Sequence, residues 1–214
     1  MKRIIFLAVI LLGTAFSLSA QESINVMTYN IRLNVESDGE HAWPHRKVDV
    51  ISVLKFHKAD IFCLQEVVHN QMEDVKSSFK DFTYVGVGRD DGISAGEYSP
   101  VFYKKGRFKE LDSGNFWLST TPDKPSLGWD AACIRICSWA KLKDKSSGKQ
   151  LFVLNTHFDH VGVTARKNAA DLILKKIEEL MQDTPVVLCG DFNLPPESVP
   201  IQKISAKLKD SYHA

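Results

Sequence analysis

The sequence predicts one α+β domain in which two packed β-sheets are covered by helices. Three observations carry that expectation. Strand-like runs fall in two blocks, helical patterns lie between and after them, and the 214 residues contain no repeat, linker or low-complexity tract. With 44% hydrophobic and 25% charged residues, the chain has enough apolar matter for a sizeable core.

The elements follow in order. "INVMTYN" (24–30) reads as a strand. "PHRKVDVISVLKFHK" then places Pro44 at a helix start, with Val48, Ile51 and Leu54 on one face. "ADIFCLQE" (59–66) is apolar enough to be a strand buried on both faces, and Asn70 to Phe79 forms a second amphipathic stretch before the strand "FTYVGV". The middle is a series of short strands, "VFYKK", "FKELDSG", "NFWLST", "CIRICSWAKLKD" and "QLFVLNTH", broken by Gly, Pro and Ser as antiparallel sheets are. A long helix carries Ala165, Ala169, Leu172, Ile173, Ile177, Leu180 and Met181 as one apolar stripe. It leads into a last strand, Pro185 to Cys189.

The first twenty residues stand apart. Lys2 and Arg3 precede an apolar run from Ile4 to Leu12 and then mostly small residues ending at Ala20, the form of a signal peptide. The expected organisation is therefore a leader at 1–20 and a domain at 21–214, exported to the periplasm or beyond the cell, with no transmembrane anchor. Without Lys2 and Arg3 the balance is 25 Lys plus Arg against 26 Asp plus Glu. That near-neutrality disfavours a dedicated nucleic-acid binder, which carries a basic excess or stripe. Cys63 and Cys189 lie in apolar runs and read as buried thiols, while Cys133 and Cys137 lack the partners that zinc needs.

Polar residues gather where strands end. "TYN" gives Asn30 with Arg32 nearby, "LQE" gives Gln65 and Glu66, "NTHFDH" gives Asn155, His157, Asp159 and His160, and "CGDFN" gives Asp191 and Asn193. Ligands of α/β architectures gather beyond the carboxyl ends of strands, so these four ends are expected to meet in one cleft. Glu66 and Asp191 offer hard oxygens suited to Mg²⁺ or Mn²⁺. Asn30, Asn155 and Asn193 can orient a phosphate or water without adding charge that repels it, and His157 can donate to a phosphoryl oxygen or transfer a proton. Metal-assisted phosphoester hydrolysis fits this set. Taken singly, the same residues also suit turns, helix caps and structural ion pairs, and Arg32, Arg46, Arg135 and Arg166 suit either phosphate binding or ion pairing.

In their order, "MTYNIR", "CLQE", "NTHFDH" and "GDFN" resemble the endonuclease/exonuclease/phosphatase superfamily, and "RDDGISAGEYSPVFYKK" with "FWLSTTPDKPSLGWD" resembles its secreted bacterial branch. The resemblance implies a DNase I-like four-layer sandwich of two mixed sheets flanked by helices. It implies that Glu66 binds the metal with help from Asn30, and that His157 steadies the phosphoryl transition state. Asp191 and Asn193 would hold the attacking water and phosphate, with Asn30, Arg32 and Asn155 toward the phosphate. The expected partner is a phosphate ester, whether lipid head group, sugar phosphate or nucleotide, with no obligate protein partner.

One departure tempers this. The superfamily ends in a Ser-Asp-His motif whose histidine serves as general base, and no such motif occurs here; the chain stops at "LKDSYHA". A C-terminally incomplete domain of weak or no activity is therefore expected. The competing expectation is a non-catalytic binding protein on the same sandwich.

Overall fold

The computed structural model describes residues 23–211. The leader expected at 1–20 lies outside the described residues, as does the end of the chain from 212. Eight strands form two four-stranded sheets. The first contains β1 (Val26–Asn30), β2 (Ile61–Gln65), β3 (Phe82–Val85) and β4 (Val101–Lys104), in the order β1-β2-β4-β3. The second contains β5 (Phe108–Trp117), β6 (Ile136–Asp144), β7 (Gln150–His157) and β8 (Val186–Asp191), in sequence order.

Each sheet is an antiparallel set extended at one edge by a parallel strand, β1 beside β2 and β8 beside β7. Parallel neighbours need a crossover, and the two long amphipathic stretches supply them. Helix α1 (Trp43–Phe56) joins β1 to β2 and α3 (Val163–Met181) joins β7 to β8. Helices α2 (His69–Ser78) and α4 (Val199–Ser205) complete the outer layers.

Three apolar layers hold the sandwich together. Trp43, Val50, Ile51 and Leu54 of α1 and Met72 and Val75 of α2 bury against the outer face of the first sheet, around Phe62 and Phe102. Ala169, Ala170, Ile173 and Leu174 of α3 bury against the second, around Phe152 and Leu154. Between the sheets lie Ile61, Cys63, Val101, Leu142, Val153 and Cys189. At roughly 1.5–3 kcal/mol for each large apolar side chain removed from water, these layers dominate the folding energy. The start of α3 is capped from a distant loop, because the Asp130 carboxylate accepts from the Thr164 and Ala165 N–H groups at 3.1 and 2.6 Å.

Several expectations are corrected. Val48 is 69% exposed, and Val50 takes its place in the core because Trp43 sets the buried face one step round the helix. "FKELDSG" and "NFWLST" are one strand, β5, kept continuous across a bulge between Glu110 and Asp112 that turns Leu111 to solvent. Leu180 is exposed near the end of α3. Helix α4, begun by Pro200 in its first turn, adds an element beyond those expected.

Strands β1 and β8 are both edges, and they share a cleft of about 630 Å³ lined by Val26, Thr28, Val186, Leu188, Phe192 and Ile204, among others. Among the described residues no helix is long and apolar enough to cross a membrane.

Candidate active site

The register of the two parallel pairs assembles the site. Asn30 pairs with Gln65 at the ends of β1 and β2, and His157 pairs with Asp191 at the ends of β7 and β8. Glu66 follows directly after β2. Both parallel pairs point their carboxyl ends the same way, so the four ends converge where the sandwich opens.

Asn30 joins the sheets there. Its Nδ2 donates to Glu66 Oε1 at 2.8 Å and to Asp191 Oδ2 at 3.0 Å. Its Oδ1 accepts from the Arg32 N–H at 2.9 Å. Asn30 thus faces the carboxylates with its nitrogen and orients them, rather than offering the metal an oxygen as expected. Glu66 Oε2 also accepts from the Leu33 N–H at 3.1 Å, and the loop behind it is tied down by Gln71, which accepts from Asn34 N–H and donates to the Arg32 carbonyl.

Three residues here adopt the left-handed backbone conformation: Arg32, Glu66 and Asn193, at φ of 54°, 61° and 48°. Such conformations cost about 1–3 kcal/mol in non-glycine residues and persist where the surroundings fix them. At Glu66 and Asn193 the turn aims a side chain back over the strand ends.

His157 is 7% exposed. Asn193 Nδ2 donates to its Nε2 at 3.0 Å and to the Phe158 carbonyl at 3.0 Å, while the Asn193 N–H donates to Asp191 Oδ1 at 3.0 Å. Burial, reinforced by the positive charge of Arg135, pushes the His157 pKa down to about 4, so the imidazole is neutral at pH 7. Burial opposes ionisation of Asp191, but the bonds from Asn30 and the Asn193 N–H outweigh it and hold its pKa below the usual range.

Glu97 completes the arrangement. Its Oε2 lies 3.8 Å from His157 Nδ1, and its Oε1 is 2.8 Å from Arg89 Nη2. Burial raises the Glu97 pKa. Sequence reasoning missed this residue: it sits in a loop with no periodicity, and while Arg89 is eight residues away, His157 lies far along the chain. The isolated carboxylate in "AGEYS", following a glycine, was the available signal.

One expected phosphate contact is corrected, and a second is found in an ion pair. Asn155 is fully buried, donating to the Leu64 and Pro100 carbonyls at 2.7 and 2.8 Å and accepting from Gln65 Nε2 at 2.7 Å. It bolts one sheet to the other and cannot reach a substrate. The Arg32 guanidinium is paired with Asp38, with Nε to Oδ2 at 2.6 Å. Arg46 donates to the carbonyls of Ile31, Arg32 and His41, and Arg135 is buried between Asp159, Glu97 and His160.

Cys133, Asp159 and His160 bring donor atoms within 4.8 Å of one another. Each Asp159 oxygen, however, already accepts two backbone N–H groups, from residues 132 and 133 and from 161 and 162, which hold its pKa at about 2 against the opposing effect of burial. With Arg135 Nη2 3.1 Å from His160, that group organises loops rather than a cation.

Two mixed sheets flanked by helices, with carboxylates, amides and one histidine at their joined carboxyl ends, define a DNase I-like fold with a polar cleft at one edge. The chain belongs to the Endonuclease/Exonuclease/phosphatase family, whose model matches residues 27–212. It is 44% identical to the crystal structure of an endonuclease/exonuclease/phosphatase from Bacteroides vulgatus, at a TM-score of 0.83, covering 86% of this chain and 71% of that one. A mannosyl-6-phosphatase from Bacteroides thetaiotaomicron matches with 38% identity, the same TM-score and the same coverage. Nocturnin of Drosophila melanogaster is 24% identical over 166 residues. The chain spans 60% of the length of an uncharacterized Acanthamoeba polyphaga mimivirus protein that it matches, and 24% of that nocturnin. Related family members hydrolyse phosphate esters, and the family's enzymes generally use divalent metals.

Proposed function

We propose that this chain is the body of an exported, divalent-metal-dependent phosphoesterase acting on a small phosphate ester, with sugar phosphates the leading class. The observation that carries the reading is the pair of carboxylates, Glu66 and Asp191, held on either side of the Asn30 amide and facing a neutral His157. This oxygen-rich donor set fits Mg²⁺ or Mn²⁺, for which Glu66 is the assigned ligand. When bound, the cation supplies charge neutralisation at a phosphate.

The chain's own residues do the rest. Asp191, ionised and fixed by two hydrogen bonds, accepts from and orients a water at the site mouth. The Asn193 amide and His157 Nε2 are hydrogen-bonded to each other beyond it, so an incoming phosphoryl group would engage them by displacing that bond. Negative charge arriving beside Nε2 would raise the His157 pKa toward the imidazolium, which Glu97 at its other nitrogen also favours. The near-neutral surface charge and the 38% identity to a mannosyl-6-phosphatase support a sugar phosphate over nucleic acid.

Three parts of the reading concern the chain's limits. The leader at 1–20 supports export. The open edges of β1 and β8 on one cleft support further strands completing both sheets. The lack of a Ser-Asp-His motif supports weak activity in this form, since general-base catalysis contributes typically about 10²–10⁴-fold.

The test is hydrolysis of mannose 6-phosphate read as free phosphate, of a bis-aryl phosphodiester read as free phenol and of an oligoribonucleotide read as shortened products, with Mg²⁺ and with EDTA, for this chain and for a form extended by the downstream reading frame. Cation-dependent release, fastest from the monoester, is expected. Absence of release from every substrate by both forms would leave the non-catalytic binding protein as the better account.

A further inference from the structure

The end of the sandwich opposite the candidate site is a basic pole. Strand register gathers its turns: Val26 pairs with Ile61, Ile61 with Tyr103 and Phe82 with Lys104 in the first sheet, and Phe108 with Asp144 and Phe152 with Val186 in the second. The last turn of α1 and the turns after α1, α2, β4 and β6 bring Lys55, Lys58, Lys80, Lys105, Lys145 and Lys149 there, all exposed. These turns are in contact. The Lys105 N–H donates to the Asp81 carbonyl and the Lys145 N–H to the Arg107 carbonyl, both at 2.9 Å, and Lys145 Nζ donates to the Lys105 carbonyl at 2.6 Å.

The acids at this pole are few or already engaged. Buried Asp60 accepts from Lys104 Nζ and Arg107 Nη1 at 3.0 and 2.7 Å, and buried Asp144 accepts from the Ser146 and Ser147 hydroxyls. On these turns and the one after α3 the exposed carboxylates are Asp81 and Asp183. None of the exposed lysines named above is ion-paired among the described residues. A chain near neutral overall thus holds unpaired lysines at one end and Glu66, Glu97 and Asp191 at the other.

Apolar surface accompanies the lysines. A groove of about 310 Å³ has Leu54, Phe79 and Phe82 in its wall, with Lys55, Lys58 and Lys104 beside them. Lys55 Nζ stands 6.0 Å from the Phe79 ring centroid and Lys104 Nζ 6.0 Å from that of Phe82. Phe56, the last residue of α1, is 79% exposed.

We propose that this pole is a docking surface for the anionic face of a lipid bilayer. Lysines gathered on one face are drawn to anionic head groups, and an exposed ring beside an apolar groove buries into the interface behind those head groups. A hydrophilic polyanion would engage the lysines and leave Phe56 and the groove without a partner. The chain also enters the domain here, the Asn25 N–H donating to Asp60 Oδ2 at 3.0 Å, so the leader expected at 1–20 would hold this same face to a membrane. None of the docking residues lines the cleft at β1 and β8 that further strands would fill. Docking in this orientation turns the candidate site toward solvent, open to soluble phosphate esters.

The test is flotation with vesicles of phosphatidylcholine alone or mixed with phosphatidylglycerol, in which aggregates sink and bound protein rises. It uses the full chain and the chain from residue 21, so that the apolar leader does not itself insert. Binding is expected with the anionic vesicles, weakening as salt rises. Each lysine near such a surface contributes about a fivefold factor in affinity, so Lys80→Glu with Lys149→Glu should weaken binding at least about 25-fold. The same charge change at Lys124 and Lys167, exposed near the other end, should leave it within about twofold of the parent. Phe56→Ser should weaken it several-fold. All five positions are exposed, and circular dichroism would verify the fold of each variant. Absence of flotation from residue 21 onward, equal binding to neutral vesicles, or equal loss in both lysine pairs would overturn the assignment. Full affinity in Phe56→Ser, or tighter binding to heparin or an oligonucleotide than to anionic vesicles, would replace the bilayer with a soluble polyanion. Because no turnover is measured, the result stands apart from whether the site is a phosphoesterase.

Discussion

Asn193 donates through its amide nitrogen to His157 Nε2 at 3.0 Å, which makes that ring nitrogen an acceptor and leaves the imidazole proton on Nδ1, facing Glu97. A neutral, buried histidine of this kind has a thermodynamic signature. The folded pKa of about 4 lies below the ordinary 6.5. Above pH 6.5 neither state takes the proton and the contribution is whole. As pH falls toward 4, the unfolded chain binds a proton that the folded chain refuses, and stability drops, by up to roughly 3 kcal/mol from this group. Urea unfolding at pH 7 and pH 4.5 should show the loss, and His157→Gln should flatten it over that window. Equal pH dependence in the two proteins would remove His157 as its source. Asp159 and Asp191, whose pKa values are depressed, add losses of the same sign at lower pH.

Removing the charge of Glu66 tests the metal assignment. In a form extended by the downstream frame, Glu66→Gln should weaken Mg²⁺ binding and lower turnover by orders of magnitude, with little change in Tm because the side chain faces the cleft. Asp191→Asn should lower turnover comparably while substrate affinity changes much less. Isothermal titration with Mg²⁺ and steady-state kinetics on the same samples provide the check. Unchanged Mg²⁺ affinity in Glu66→Gln would take that residue out of the metal site.

Asn155 calls for the opposite outcome. Asn155→Ala removes three buried hydrogen bonds across the sheet interface, and although the Pro100 carbonyl keeps the Leu64 N–H and the Gln65 amide keeps Thr28 Oγ1, a loss of about 2–4 kcal/mol is expected. Tm should fall by roughly 10 °C. A KM that rises while Tm holds would restore Asn155 as a substrate contact.

The open cleft predicts a difference between forms. The chain of residues 21–214 should be less soluble than the extended form, melt earlier, and turn over substrate about 10²–10⁴-fold more slowly. Light scattering, thermal melts and Mg²⁺-dependent kinetics on the two would decide. Equal melting temperatures and equal rates would mean that β1 and β8 need no further partners.

Asn30, Glu66, His157 and Asp191 were legible because each follows an apolar strand whose polar end has no reason to be inside. Asn155 shows why that rule misleads. It lies two residues before His157 and so points to the same side of β7, but there the sheets are closed over it and one residue pair later they are open. Strand periodicity gives the side and not the depth. Glu97 was hidden for a related reason, since its approach to His157 brings a loop onto a strand end, and nothing local in sequence encodes that meeting. The exchange of Val48 for Val50 has a similar origin, because the face that α1 buries is set by Trp43 and the Asp74 carboxylate that takes its indole N–H.

The division of the site between sheets has a dynamic consequence. Asn30 and Glu66 come from one sheet, and His157, Asp191 and Asn193 from the other or its exit loop, so neither half of the chain contains a complete centre. The Gln65–Asn155 bond spans the buried interface immediately behind. Fluctuations that open this region must part the sandwich itself, and so belong to the global unfolding unit rather than to a low-energy local opening. Amide hydrogens of β2 and β7 should then exchange at the slow limit set by whole-domain unfolding. The site would be lost or kept as a single cooperative event, with no stable state that has the fold without the geometry.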